Sequence, residues 1–163
     1  MPEDHRFRPR DEQERLNRQM LELLNELRVA LTGVQILFAF LLTVPFTQRF
    51  SHVTQFQKYL YFGTLLCAAA AVALLIAPSA QHRVLFGLHQ KKRLLMVGNT
   101  EMIIGLGFLA LAMTGVVMLI TDVLFSTTAV VVVTGAVGLT FAVLWYLAPL
   151  ARRMQRAREE DEA

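Results

Sequence analysis

Glu101, Asp122 and Gln35 stand out because each interrupts sequence that is otherwise apolar. A carboxylate or an amide inside a membrane is costly, so such groups mark ion paths, proton relays or bonds between helices. Asn99 and Glu101 form one polar cluster, and Glu26 and Arg28 crowd the start of another apolar run with Glu22 and Asn25. The depth of Glu101 decides its chemistry. If its helix enters the membrane at Leu94, Glu101 lies about 10 Å inside, from the helical rise of 1.5 Å per residue, and needs a partner or a proton. If the span begins at residue 102, Glu101 sits at the inner interface. Arg28 approaches the same surface from another helix and is the expected partner. Asp122 is expected in a solvated turn between two spans. The candidate polar residues, for function or for packing, are Glu26, Arg28, Gln35, Asn99 and Glu101.

Catalytic patterns do not occur: there is no GxSxG, Walker A, HExxH or CxxC. Gly105-Leu106-Gly107 lies in an apolar helix and is not a phosphate loop. His82 and His89 are seven residues apart with no carboxylate or cysteine near them in sequence, and read as interfacial polar residues. The lone Cys67 allows no intrachain disulfide and no thiolate metal site. No enzyme activity, cofactor or metal is therefore expected.

The elements that must position these residues are four apolar runs. No charge occurs between Arg28 and Arg49, Lys58 and His82, Glu101 and Asp122, or Asp122 and Arg152. Each run has about 20 residues or more, enough for a helix to cross a hydrocarbon core of roughly 30 Å. The expected fold is all-α: an integral membrane four-helix bundle with an N-terminal cytoplasmic amphipathic helix. Residues 1–28 form the N-terminal segment, disordered over 1–10 and helical over 11–28, where Leu16, Met20, Leu23, Leu24 and Leu27 recur at steps of three and four. The transmembrane domain covers 29–150, with spans of about 29–48, 59–79, 94–121 and 124–150. A charged cytoplasmic tail covers 151–163. The first span is expected to remain as a signal anchor, since no small-x-small cleavage site follows it.

Basic residues set the orientation. Arg6, Arg8, Arg10, Arg15, Arg18 and Arg28 precede the first span; Arg83, Lys91, Lys92 and Arg93 lie between the second and third; Arg152, Arg153, Arg156 and Arg158 follow the fourth. With both termini inside, 14 of the 16 Lys and Arg are cytoplasmic, and only Arg49 and Lys58 lie outside. The positive-inside rule therefore predicts an inner-membrane protein with N-in and C-in topology. The same residues explain the net charge of +3. They point to anionic lipid as the partner and not to nucleic acid.

Small and polar residues at helical spacing are the expected packing seams: Thr32, Gln35, Ala39 and Thr43; Gly63, Cys67 and Ala71; Thr134, Gly138 and Ala142. The stretch QHRVLFGLHQKKR at 81–93 is expected to contain a short amphipathic piece on the inner surface.

The stretch NELRVALTGVQILFAFLLTVPF at 25–46, with LYFGTLLCAAAAVALLIAPSAQHRVLF at 60–86 and GLGFLALAMTGVVMLITDVLF at 105–125, resembles a domain-of-unknown-function family. Its members are small four-span membrane proteins common in actinobacteria. The first segment is the most specific, through Glu26, Leu27, Arg28, Gly33, Gln35 and the FAFLL–P pattern. Members are sometimes labelled sodium:proton antiporters, and the resemblance implies that activity as one expectation.

Two readings follow. The first is a non-enzymatic membrane component that forms a homo-oligomer or joins a membrane protein partner, with Gln35 and Glu101 fixing helix packing. The alternative is a cation/proton antiporter-like transporter acting as an oligomer, with Gln35, Asn99 and Glu101 lining the path. Coupled exchange requires a protonatable carboxylate reachable from both sides, usually near the midplane, and the mid-span residue here, Gln35, does not titrate. A third, an adaptor recruiting a cytoplasmic partner through 11–28 and the acidic end, would lose function on deletion of 1–20.

Overall fold

The computed structural model describes residues 9–84 and 91–161, and every regular element in them is helical. The expectations placed on residues 1–8, on the amphipathic piece within 85–90, on His89 and on the last two residues lie outside the described residues, as does the side chain of His82.

Helix α1 (Pro9–Thr43) carries the amphipathic N-terminal segment and the first apolar run as one uninterrupted helix. It starts at Pro9, where the missing N–H of proline is no loss in a first turn. It stops at Thr43 because Pro45 cannot donate to the helix ladder, and the chain tightens into a 3-10 turn, Val44–Phe46. Hydroxyls bond carbonyls at this helix end: Thr43 Oγ1 donates to Phe40 O at 2.7 Å and Thr47 Oγ1 to Val44 O at 2.8 Å.

A second 3-10 turn, Gln48–His52, leads into α2 (Gln55–Val84). This helix passes through Pro78 and continues beyond residue 79, the expected end of the second span. The ring removes the N–H that would bond the Leu74 carbonyl. Its fixed φ still suits a helix, and leaving the helix in apolar surroundings would strip further backbone groups of partners. Helix α3 (Lys91–Leu124) turns within two residues into α4 (Thr127–Ala142), with Val130 N donating to Ser126 O at 3.1 Å. A π-helical turn, Val143–Leu147, joins α4 to the charged α5 (Ala148–Asp161) and carries Trp145, whose ring lies 4.9 Å from that of Phe141.

Among the described residues four stretches are long and apolar enough to cross a membrane: Leu24–Phe46, Gln55–Gln81, Met96–Leu124 and Thr127–Arg152. The chain divides into two compact units, Met1–Thr47 with Ala68–Leu109, and Gln48–Cys67 with Ala110–Ala163.

In the first unit the buried residues keep a heptad spacing. On α1 they are Leu27, Val34 and Leu41; on α2, Ala68, Ala71, Leu75 and Pro78; on α3, Gly98, Gly105 and Leu109. A 3.5-residue repeat is the signature of helices packed knobs-into-holes. On α1 that register is aliphatic, so the stripe Thr32, Gln35, Ala39 and Thr43, expected to be a seam, is instead exposed.

In the second unit Tyr61 and Thr64 of α2, Ala112 and Thr121 of α3 and Val130 of α4 are buried. Gly63, expected on a seam with Cys67 and Ala71, faces out, while Cys67 is half-buried; Ala71, in the first unit, is buried. The α4 stripe is partly used: Thr134 and Gly138 are half-buried, and a Cβ on Gly138 would meet Thr114 Cγ2 at 3.7 Å, whereas Ala142 is exposed. The ring of Phe50 packs edge-on against Tyr61 at 5.2 Å.

The membrane-capable stretches of α2 and α3 are 28% and 22% buried, against 11% for α1 and 6% for α4. The chain thus leaves most of α1 and α4 bare, with Ile36, Phe40, Val131, Val132 and Leu139 among the exposed apolar residues. A surface so apolar suits lipid or another apolar partner.

Candidate functional site

In the first unit Glu101 sits on α3, five residues into the apolar stretch Met96–Leu124, and its partner is Gln81, the last residue of the stretch Gln55–Gln81 on α2. Gln81 Nε2 donates to Glu101 Oε1 at 2.7 Å. The other carboxyl oxygen, Oε2, is shut off from solvent and has no hydrogen-bond partner among the described residues. Glycines set this geometry. Gly98 and Gly105 flank Glu101 by one turn on the same face, and both are buried. A Cβ at Gly105 would lie 3.0 Å from Leu75 Cγ and 3.2 Å from Leu74 Cβ. A side chain at Gly105 would press on Leu74 and Leu75, so glycine suits the close approach of the two helices there.

Arg28 is not that partner. It is exposed, as is Glu26, and no ion pair joins Arg28 to Glu101. Matched depth alone made Arg28 eligible; what decided the contact was α2 continuing past Pro78, which keeps Gln81 in the helix and on the face of Pro78 and Leu74. The Asn99–Glu101 cluster is also split by helical geometry. Asn99 and Thr100 are exposed, with Thr100 Oγ1 donating to Met96 O at 3.0 Å, while Glu101 turns inward. Gln35 is exposed on α1.

The second unit holds a matching device. Asp122 does not lie in a turn but in the last turn of α3, where its Oδ2 accepts from Gln57 Nε2 at 2.9 Å. Gln57 works at both ends of its amide. Its Oε1 accepts the Thr54 N–H at 2.9 Å while its own backbone N–H donates to Thr54 Oγ1 at 3.2 Å. This is the reciprocal capping box, and the pattern Thr54-x-x-Gln57 before an apolar run was its sequence signal. Two turns further along α2, Thr64 bonds Leu60 O at 2.7 Å and closes against Gly115 of α3. In each unit the contacts of α2 and α3 run in opposite sequence directions, so the helices are antiparallel.

These sites can clamp helices together by a bond between a neutral donor and a carboxylate. The group with capacity for more is Glu101, whose shielded Oε2 can accept another donor or hold a proton. Among the described residues no group of three or more His, Cys, Asp and Glu is placed to hold a metal ion.

Residues 10–149 match the family model described as Family of unknown function (DUF6328). No curated protein matches the chain, and no solved structure does.

Proposed function

The chain belongs to the DUF6328 family, whose function is unknown, and on that premise we propose a non-enzymatic, multi-pass component of the cytoplasmic membrane that works as an oligomer or within a membrane complex. The distribution of Lys and Arg supports placing both termini in the cytoplasm, with the basic inner surface against anionic lipid. One observation carries the reading: the chain itself fully buries only 11% of the apolar window on α1 and 6% of that on α4. Meanwhile the carboxylates Glu101 and Asp122 are engaged in helix–helix bonds. In lipid, association is driven by close packing and polar contacts, and bare helices with polar or small residues supply both. The test is particle mass after extraction from the native membrane into lipid-containing polymer discs. A multiple of the 18.4 kDa chain, or a particle with a second protein, is the expected result. A single chain alone in its disc would refute the reading.

A second reading, a cation/proton antiporter-like transporter acting as an oligomer, is favoured by the shielded, unbonded Oε2 of Glu101. Purified protein in liposomes loaded with a pH-sensitive dye would then dissipate a proton gradient on addition of sodium or potassium, and Glu101→Gln would abolish the response. Absence of flux from correctly oriented protein would dismiss it.

A further inference from the structure

We infer that the Gln35 face of α1 is the surface on which a second copy of this chain docks, through a reciprocal pair of Gln35 amides; this rests on the oligomeric reading above. Gln35 is the middle residue of the apolar stretch Leu24–Phe46, with eleven residues on either side. Eleven residues of helix measure about 16 Å, far beyond the reach of a glutamine side chain, so the amide cannot escape to either headgroup layer. Gln35 is exposed, and no described group bonds it. The neighbouring hydroxyl of Thr32 commits its proton to Arg28 O at 3.0 Å, so it has none to donate to the Gln35 carbonyl. A single copy surrounded by lipid would leave two amide donors and one carbonyl acceptor unpaired in hydrocarbon, which costs several kcal/mol on transfer scales.

The chemistry of the occupant follows from that of the group. An amide carries donor and acceptor together, so a second identical amide complements it, and a two-fold axis between two α1 helices supplies one from an identical chain with both bonds made. Thr32 and Ala39, one turn to either side on the same exposed face, are small enough for two backbones to approach. The buried register Leu27, Val34 and Leu41 already serves the chain's own interior, so both contacts can exist at once.

The experiment uses the full chain in native membranes, with Cys67→Ala as the background. Single cysteines at Thr32, Gln35 and Ala39, and at Val131 on α4 as a control, are oxidised and scored for disulfide-linked dimer; Thr32→Cys and Ala39→Cys leave Gln35 in place should its loss impair folding. Dimer at 32, 35 or 39 and not at 131 is expected. Gln35→Leu should weaken dimerisation roughly 5- to 30-fold, the equivalent of one or two interhelical hydrogen bonds, and Gln35→Asn should recover part of it. A multi-copy particle that cross-links elsewhere and ignores Gln35→Leu overturns this inference and leaves the oligomeric reading standing. So does a particle holding one copy with a different protein. A lone chain in its disc overturns both.

Discussion

Gly115→Ala is expected to destabilise the α2–α3 pairing by about 1–3 kcal/mol, the usual cost of adding a methyl group to a filled interior. A Cβ at this position would lie 3.3 Å from both Cβ and Cγ2 of Thr64, with Thr64 Oγ1 closer still. Thr64 cannot easily give way. It is 4% exposed, β-branched and stiff about χ1, and its hydroxyl is held on Leu60 O at 2.7 Å. Moving the hydroxyl gives up that bond, and otherwise the helices must separate. Thr64→Ala removes Oγ1 and Cγ2, leaving one tight contact in place of three, so the double variant should be only slightly less stable than Thr64→Ala alone. That is a coupling of at least about 1 kcal/mol, within the range for residues in contact. Reversible unfolding by SDS titration in mixed micelles, followed through helical circular dichroism, measures all four corners of the cycle. Gly115→Ala at wild-type stability, or strictly additive single effects, would refute the close approach of Gly115 to Thr64.

Gly105→Ala should also destabilise, because the Leu75 it would strike is fully buried; Gly33→Ala and Gly135→Ala, with nothing within 4 Å, should be neutral in a monomer or stabilising by up to about 1 kcal/mol through helix propensity. Equal losses at all three positions in that titration would contradict the packing. Gln57→Leu removes the side-chain half of the capping box and the bond to Asp122 together while leaving the backbone bond to Thr54 Oγ1, for an expected loss of about 1–2 kcal/mol, with faster exchange of the Thr54 amide; unchanged exchange there would count against the cap. A double-mutant cycle on Gln81→Leu and Glu101→Leu, each of which removes the bond, should show coupling near the average of about 0.6 kcal/mol for interhelical bonds in membranes, while a cycle on Arg28 and Glu101 should show none. Coupling to Arg28 would reverse the assignment.

The architecture was legible because hydrophobic run length is a strong signal: a charge-free stretch of 20 residues has few ways to satisfy its backbone other than as a helix. The seams were harder to read. Small-residue spacing pointed to Thr32–Gln35–Ala39–Thr43 on α1, yet the buried register is Leu27–Val34–Leu41, rotated by one residue or about 100° around the helix. In a chain this apolar every face of α1 has hydrophobic residues, so composition cannot choose among them, and only contact with other helices does. Gln81 and Gln57 were overlooked for a related reason. Each lies at the end of a run, where polarity usually means water, and only the partner helix reveals that the amide is aimed at a carboxylate.

Glutamine as the partner of both carboxylates has a consequence that arginine would not. A guanidinium would neutralise the charge of Glu101 and can bind both its oxygens in a fork, whereas the Gln81 amide carries no charge and reaches one oxygen. The two pairs then differ in what they leave over. Gln57 is used at both ends of its amide, on Thr54 and on Asp122, and its bond finishes a helix cap. At Glu101 an oxygen remains enclosed and unbonded beside two glycines. A clamp alone gains nothing from that oxygen, since a neutral Gln at position 101 could accept the same bond from Gln81 without placing a carboxyl among apolar side chains. Retention of helix pairing in Glu101→Gln therefore separates the two roles of this residue: stability that survives, with a function that does not, would assign the carboxyl to chemistry at Oε2, and survival of both would reduce it to packing.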